Sequence, residues 1–138
     1  MGGYMQLQQV FCTAEEIAVY NDGVSTSYAC GERQYEEICV KWSELLTDSI
    51  VMPAFGVSIN DMTVQGKQKG VWVEFSFSKQ LKVNELPFEK LLVEVRPEYK
   101  GFNVIRYNSD SGYFGRCFYI DLRENDMSSF YSFIREIC

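Results

Sequence analysis

The chain contains no histidine in 138 residues. Histidine changes charge near neutral pH and is the commonest metal ligand. Its absence excludes Ser-His-Asp and Cys-His nucleophile pairs, histidine-bearing zinc sites and HExxH proteases together. No apolar run approaches the roughly 18 residues that mark a membrane-spanning helix, so no membrane partner is expected. The phosphate cradles GxGxxG and GxxxxGK[ST] are missing as well. Basic residues are the minority, 13 against 19 acidic, for a net charge of −6. A chain so charged is a poor match for a phosphate backbone, so no nucleic acid is expected; an acidic surface serves solubility or a basic partner. Residues 1–10 lack the basic and apolar regions of a signal peptide. Gly2 is followed at position six by Gln6 rather than Ser or Thr, which breaks the myristoylation pattern.

Cysteine is present but unpatterned. Cys12, Cys30, Cys39, Cys117 and Cys138 make an odd count without a CxxC. That suits neither a disulfide framework nor a metal site, and points to reduced thiols in the cytoplasm. Cys12 is the candidate reactive thiol, because it precedes a helix or turn start whose amide dipoles would lower its pKa.

Rings are abundant. Aromatic residues make up 15% of the chain and hydrophobic residues 46%, enough for one domain over residues 1–138 with a core of rings. Residues 4–12 read as a strand or a docked arm. Thr13 and Glu16 match a capping box, but Ile17 to Tyr20 and Val24 to Tyr28 are rich in β-branched and aromatic residues around Asn21-Asp22-Gly23. A hairpin is therefore favoured over a helix. Residues 32–50 form the clearest helix, with Tyr35, Ile38, Cys39, Trp42, Leu45, Leu46 and Ile50 at three- and four-residue steps.

Beyond Pro53 the period falls to two. An early strand is expected near 57–65. Val71, Val73, Phe75 and Phe77 then alternate with Trp72, Glu74, Ser76 and Ser78, and Leu91, Val93 and Val95 with Leu92, Glu94 and Arg96. Residues 102–107 and 114–122 read as two further strands joined by the turn Asn108-Ser-Asp-Ser-Gly112. Asn125 or Asp126 caps a final helix with Met127, Phe130, Tyr131, Ile134 and Ile137 on one stripe. The expected fold is α+β: an antiparallel meander of four to six strands, with one long and one short C-terminal helix packed on one face in two layers.

The outward sheet face then carries Trp72, Glu74, Glu94, Arg96, Cys117, Tyr119 and Asp121. Rings beside charges can form a binding platform, although such a face is also an ordinary solvated surface with cross-strand ion pairs. Trp72, Glu74, Glu94, Arg96, Tyr119 and Asp121 are the candidate binding residues. No catalytic or metal-ligating set and no cofactor is indicated. Lys100-Gly-Phe-Asn-Val-Ile-Arg-Tyr107 partly matches the RNP1 pattern of RNA-recognition motifs, but Asn103 stands where Gly or Ala belongs and Val104 replaces a stacking aromatic. It reads as an ordinary strand after a glycine turn. The functional expectation is a non-enzymatic interaction or regulatory domain of a bacterial cytoplasm, partnered by a second copy or another protein. The alternative is a small-ligand pocket between sheet and helix, lined by rings such as Trp42, Phe75 and Phe118.

Overall fold

The computed structural model describes residues 6–53 and 56–137. The expectations for Gly2 and Cys138, and the first two positions of the expected strand at 4–12, lie outside these residues. The rest of that segment is not extended: it is a helical turn, α1 (Leu7–Val10), followed by a 3-10 turn, Phe11–Thr13. Leu7, Val10 and Phe11 are all buried, so the segment is docked by an apolar face.

The expected hairpin forms. β1 (Glu16–Asn21) and β2 (Val24–Ala29) pair antiparallel across Asp22-Gly23, both with positive φ, 50° and 89°. Two left-handed residues give this turn the twist that matches the strands. The long helix is α2 (Arg33–Leu45), shorter than the expected 32–50 because residues 50–52 leave it as β3 (Ile50–Met52). The final helix is α4 (Ser128–Ile137). Asp126 holds its start, its carboxylate accepting from the Ser128 hydroxyl at 2.5 Å and the Ser128 amide at 3.0 Å, and these bonds, the hydroxyl's first, keep the Asp126 pKa low.

The region 57–65 departs from expectation. It holds a two-residue strand, β4 (Val57–Ser58), and then a helix, α3 (Asn60–Gly66). Val57, Ile59, Thr63 and Val64 are branched at Cβ, but so weak an intrinsic β preference yields to tertiary contacts. The Asn60 side chain accepts the Tyr113 amide at 3.0 Å and so ties the start of α3 to the sheet. The central strands run further than the alternation showed. β5 (Val71–Val83) and β6 (Leu86–Val95) meet at Asn84-Glu85, where both residues take positive φ without a glycine to mark the turn.

β7 (Gly101–Asn108) follows. The expected strand at 114–122 is broken into β9 (Gly115–Arg116) and β10 (Phe118–Asp121), and the expected turn before it ends in a two-residue strand, β8 (Gly112–Tyr113). Gly115, which opens β9, has φ of 101°, with the Arg106 guanidinium 2.8 Å from where a Cβ would stand. Arg106 is itself buried and donates to the Arg116 and Pro87 carbonyls at 2.8 and 2.7 Å.

The main sheet runs β2-β1-β5-β6-β7-β10-β3, with β8 added to β7, while β4 pairs with β9. Its eight strands exceed the four to six expected, but the α+β architecture is as read. The inner face, covered by α1, α2 and α4, is a block of rings. Trp42 lies 5.0 Å from Phe11, 5.2 Å from Phe75, 5.5 Å from Phe102 and 5.1 Å from Phe130, measured between ring centres. Edge-to-face pairs at such distances each add roughly 0.5–1.5 kcal/mol beyond the area buried.

Candidate binding cleft on the outer sheet face

The sheet's period of two sends Tyr20, Trp72, Glu74, Leu92, Glu94, Asn103, Ile105, Tyr107 and Tyr119 outward, away from the ring block. This face has a closed half and an open half.

The closed half lies under the end of α3. Glu74 is 2% exposed. Its carboxylate accepts from the hydroxyl of Tyr113 and, at 3.3 Å, from that of Tyr20. Lys67, just past α3, donates to the Tyr113 oxygen at 2.7 Å and lies 4.5 and 4.7 Å from the ring centres of Tyr20 and Tyr113. A buried carboxylate thus finds two phenols and a nearby cation, which a buried charge requires. Burial, reinforced by the Glu74 charge, pushes the Tyr20 phenol up to about 12 and the Tyr113 phenol up as well. Burial pushes Lys67 down. Trp72 is also covered: its indole N–H donates to the Lys69 carbonyl at 2.8 Å, and Gly66 passes over its ring.

The open half begins where the ladder between β6 and β7 ends. Lys90, Leu91 and Leu92 pair with Tyr107, Arg106 and Ile105, and no further pair follows toward Glu94. The connection between the strands is anchored elsewhere: the Met127 amide donates to the Tyr99 carbonyl and the Leu122 amide to the Lys100 carbonyl, both at 2.9 Å. β7 therefore starts beside β10 rather than beside β6. The gap is a cleft of about 160 Å³ lined by Trp72, Glu94, Tyr99, Asn103, Ile105 and Tyr119. Glu94 stands at its rim and accepts from the Arg96 guanidinium at 2.9 Å and the Tyr99 hydroxyl at 3.3 Å. Burial, then the Glu94 charge, raises the Tyr99 pKa. The end of the Tyr119 ring lies over Gly101, where its hydroxyl leaves no room for a Cβ.

Of the six residues singled out by alternation, Trp72, Glu94 and Tyr119 meet in this cleft, and Arg96 flanks it with its side chain 53% exposed. Glu74 is on the same face but not on an open one, because residues 60–66 form α3 rather than the expected strand and bring Lys67 over Tyr20 and Tyr113. Asp121 stands apart, its carboxylate accepting the Arg123 amide at 2.8 Å to form a turn. Cys117 precedes β10 and is buried, which raises its pKa. Cys12 has a lowered pKa, as expected of it, but the cause is a hydrogen bond from the Cys39 thiol rather than a helix dipole.

Tyr99 and Asn103 were missed as cleft residues. Tyr99 is in a turn outside the alternating runs, and Asn103 drew notice only as the misfit in the RNP1 pattern. A wider depression of about 600 Å³ lies between residues 47–50 and 122–125, but turn residues line it and no ring does. Of the rings expected to line a ligand pocket, Trp42 packs against Phe11, Phe75, Phe102 and Phe130, and Phe118 lies 6.0 Å from Phe88. Among the described residues no cluster of three or more His, Cys, Asp or Glu is placed to hold a metal ion. No helix among them is long and apolar enough to cross a membrane. Comparison with known proteins finds no matching family model, no matching curated protein and no matching solved structure.

Proposed function

We propose that this chain is a non-enzymatic protein-interaction domain whose outer-face cleft receives a basic side chain, arginine or lysine, from a partner protein. The observation that carries this reading is the break in the sheet. The outward rings of Trp72, Tyr99 and Tyr119 and the Glu94 carboxylate converge where β6 and β7 part, in a space about the size of one side chain. Rings around a cation attract it through their quadrupoles, and a carboxylate at the rim adds a charge-assisted bond. Pockets for drug-sized ligands run to roughly 300–1,000 Å³, so this cleft suits a side chain better than a metabolite. The net charge of −6 favours a basic partner over nucleic acid. The free thiols of Cys12, Cys30, Cys39 and Cys117 agree with a cytoplasmic setting.

Calorimetric titration with a short arginine-rich peptide, and with the same peptide carrying glutamate at each arginine, tests the proposal. The basic peptide should bind and the acidic one should not, and Glu94→Gln should weaken binding about tenfold. Equal binding of both peptides, or an unchanged affinity in Glu94→Gln, would overturn it.

A further inference from the structure

Among the described residues, three cysteines from three separate elements meet around one tyrosine. Cys12 is in the 3-10 turn after α1, Cys30 follows β2, and Cys39 is on α2. Tyr35 stands one helical turn before Cys39, so the two share a face of α2. The Tyr35 side chain is buried, and its hydroxyl reaches the Cys12 carbonyl at 3.3 Å and the Ala14 carbonyl as well. The 3-10 turn is thereby drawn against α2. The Cys30 thiol lies within hydrogen-bond reach of the same hydroxyl. The Cys12 and Cys39 thiols share a hydrogen bond with each other.

Thiols gathered in this way serve as metal ligands, as inert filling or as a redox pair. The three are not placed as a ligand set for a metal ion. Inert filling describes Cys117, which is buried and whose pKa burial raises. Cys12 and Cys39 differ from it. Both are half-buried at the margin of the core, and Cys39 lines an open depression on α2 with Glu36, Val40 and Ser43. The bond from Cys39 holds the Cys12 pKa low, against burial and the Glu36 charge. Thiolate character and solvent access decide which cysteines oxidise.

We infer that Cys12 and Cys39 are a modification site, a thiol pair that hydrogen peroxide closes into a reversible disulfide between the docked segment 7–13 and α2. The Cys12 thiolate attacks one peroxide oxygen and the O–O bond breaks. The Cys12 sulfur is oxidised to a sulfenic acid, and the other oxygen leaves as hydroxide and takes the proton that Cys12 gave up. The Cys39 sulfur then attacks the sulfenic sulfur. The S–O bond breaks, and the hydroxide released takes the Cys39 proton. Two thiols and one peroxide thus give one disulfide and two waters, and a dithiol reductant reverses the change. In a reducing compartment such a disulfide is transient and reports oxidant. The pair is on the helix-covered side of the sheet, so the inference stands or falls independently of the cleft.

The test treats the folded full chain with a single equivalent of hydrogen peroxide, blocks the remaining thiols by alkylation and maps the peptides by mass. A Cys12–Cys39 cross-link should be the main product and should vanish with dithiothreitol. It should form at least ~10-fold faster than in the chain unfolded in urea, because folding holds the two sulfurs together. Cys117 should stay reduced. In Cys39→Ser the Cys12 sulfenic acid should persist and be trapped by a cyclic 1,3-dione, while in Cys12→Ser the same dose should leave Cys39 reduced. Cys30→Ser should form the cross-link as the wild type does; if a variant at position 12 or 39 does not fold, the wild type and Cys30→Ser decide. No cross-link, another cysteine as the main partner of Cys12, equal rates in the folded and unfolded chains, or loss of the cross-link in Cys30→Ser would each overturn the inference.

Discussion

The two faces of the central sheet bury comparable rings by opposite means. On the inner face Trp42, Phe11, Phe75, Phe102 and Phe130 pack directly on one another beneath α2 and α4, and shape alone holds them. On the outer face Tyr20, Tyr113 and Trp72 are held by polar groups: Glu74, Lys67 and the Lys69 carbonyl. Dispersion and apolar burial are non-directional, so the inner rings pack by shape. Hydrogen bonds are directional and satisfy only the groups they reach. The outer face therefore closes where α3 supplies Lys67 and stays open where no element covers Glu94, Asn103 and Tyr119. The inner face is the scaffold, and the outer face carries the recognition surface.

Substitutions can break this contrast from either side. The largest effect is expected for Trp42→Ala, which removes the hub of the inner block and should cost ~3–5 kcal/mol in urea unfolding. Next is Glu74→Ala, which strips the acceptor from two phenols and leaves the half-buried Lys67 without its nearby anion. A loss of about 1–3 kcal/mol is expected, part of it recovered when Lys67→Met is added. If Glu74→Ala were as mild as an exposed substitution, the closed half would not be held by its polar groups.

Alkaline titration sharpens the comparison. Tyr20 keeps its proton up to about 12 in the folded protein, and Tyr113 is shifted the same way. A raised folded pKa contributes stability that is complete below the ordinary tyrosine value of about 10. That contribution is lost as pH rises from there through about 12. Lys67 acts in the opposite sense: its lowered pKa is a penalty relieved as pH rises toward the ordinary 10.5. The melting temperature should therefore fall steeply only above pH ~10, together with late tyrosinate absorbance, and less steeply in Tyr20→Phe. The smallest effect on stability belongs to the open half. Glu94→Gln should change it by no more than about 0.5 kcal/mol while weakening the basic peptide, a separation that calorimetric unfolding beside the binding titration would show.

The inner face was legible because each of its elements announces itself locally. Val71, Val73, Phe75 and Phe77 alternate, and Tyr35, Ile38, Trp42 and Leu45 recur at helical steps, so facing surfaces follow from two periods. The outer face could be read only as a set of residues pointing the same way. That Trp72, Glu94 and Tyr119 share a cleft depends on the ladder ending at Leu92, which is set by anchors of Tyr99 and Lys100 on distant segments. That Glu74 is covered depends on α3, whose branched residues imitate a strand. The turn at Asn84-Glu85 was hidden for a related reason: its left-handed backbone is imposed by the two long strands it joins, without the usual glycine.

The most direct test of the division into scaffold and recognition surface is an NMR titration of the isotope-labelled chain with the arginine-rich peptide. The account predicts that the Trp72 indole and the Asn103 and Tyr119 amides shift in a saturable way, while the Trp42 indole and the amides of Ile38 and Val73 do not. Shifts centred on the helix-covered side, or no saturable shift at the cleft, would contradict it.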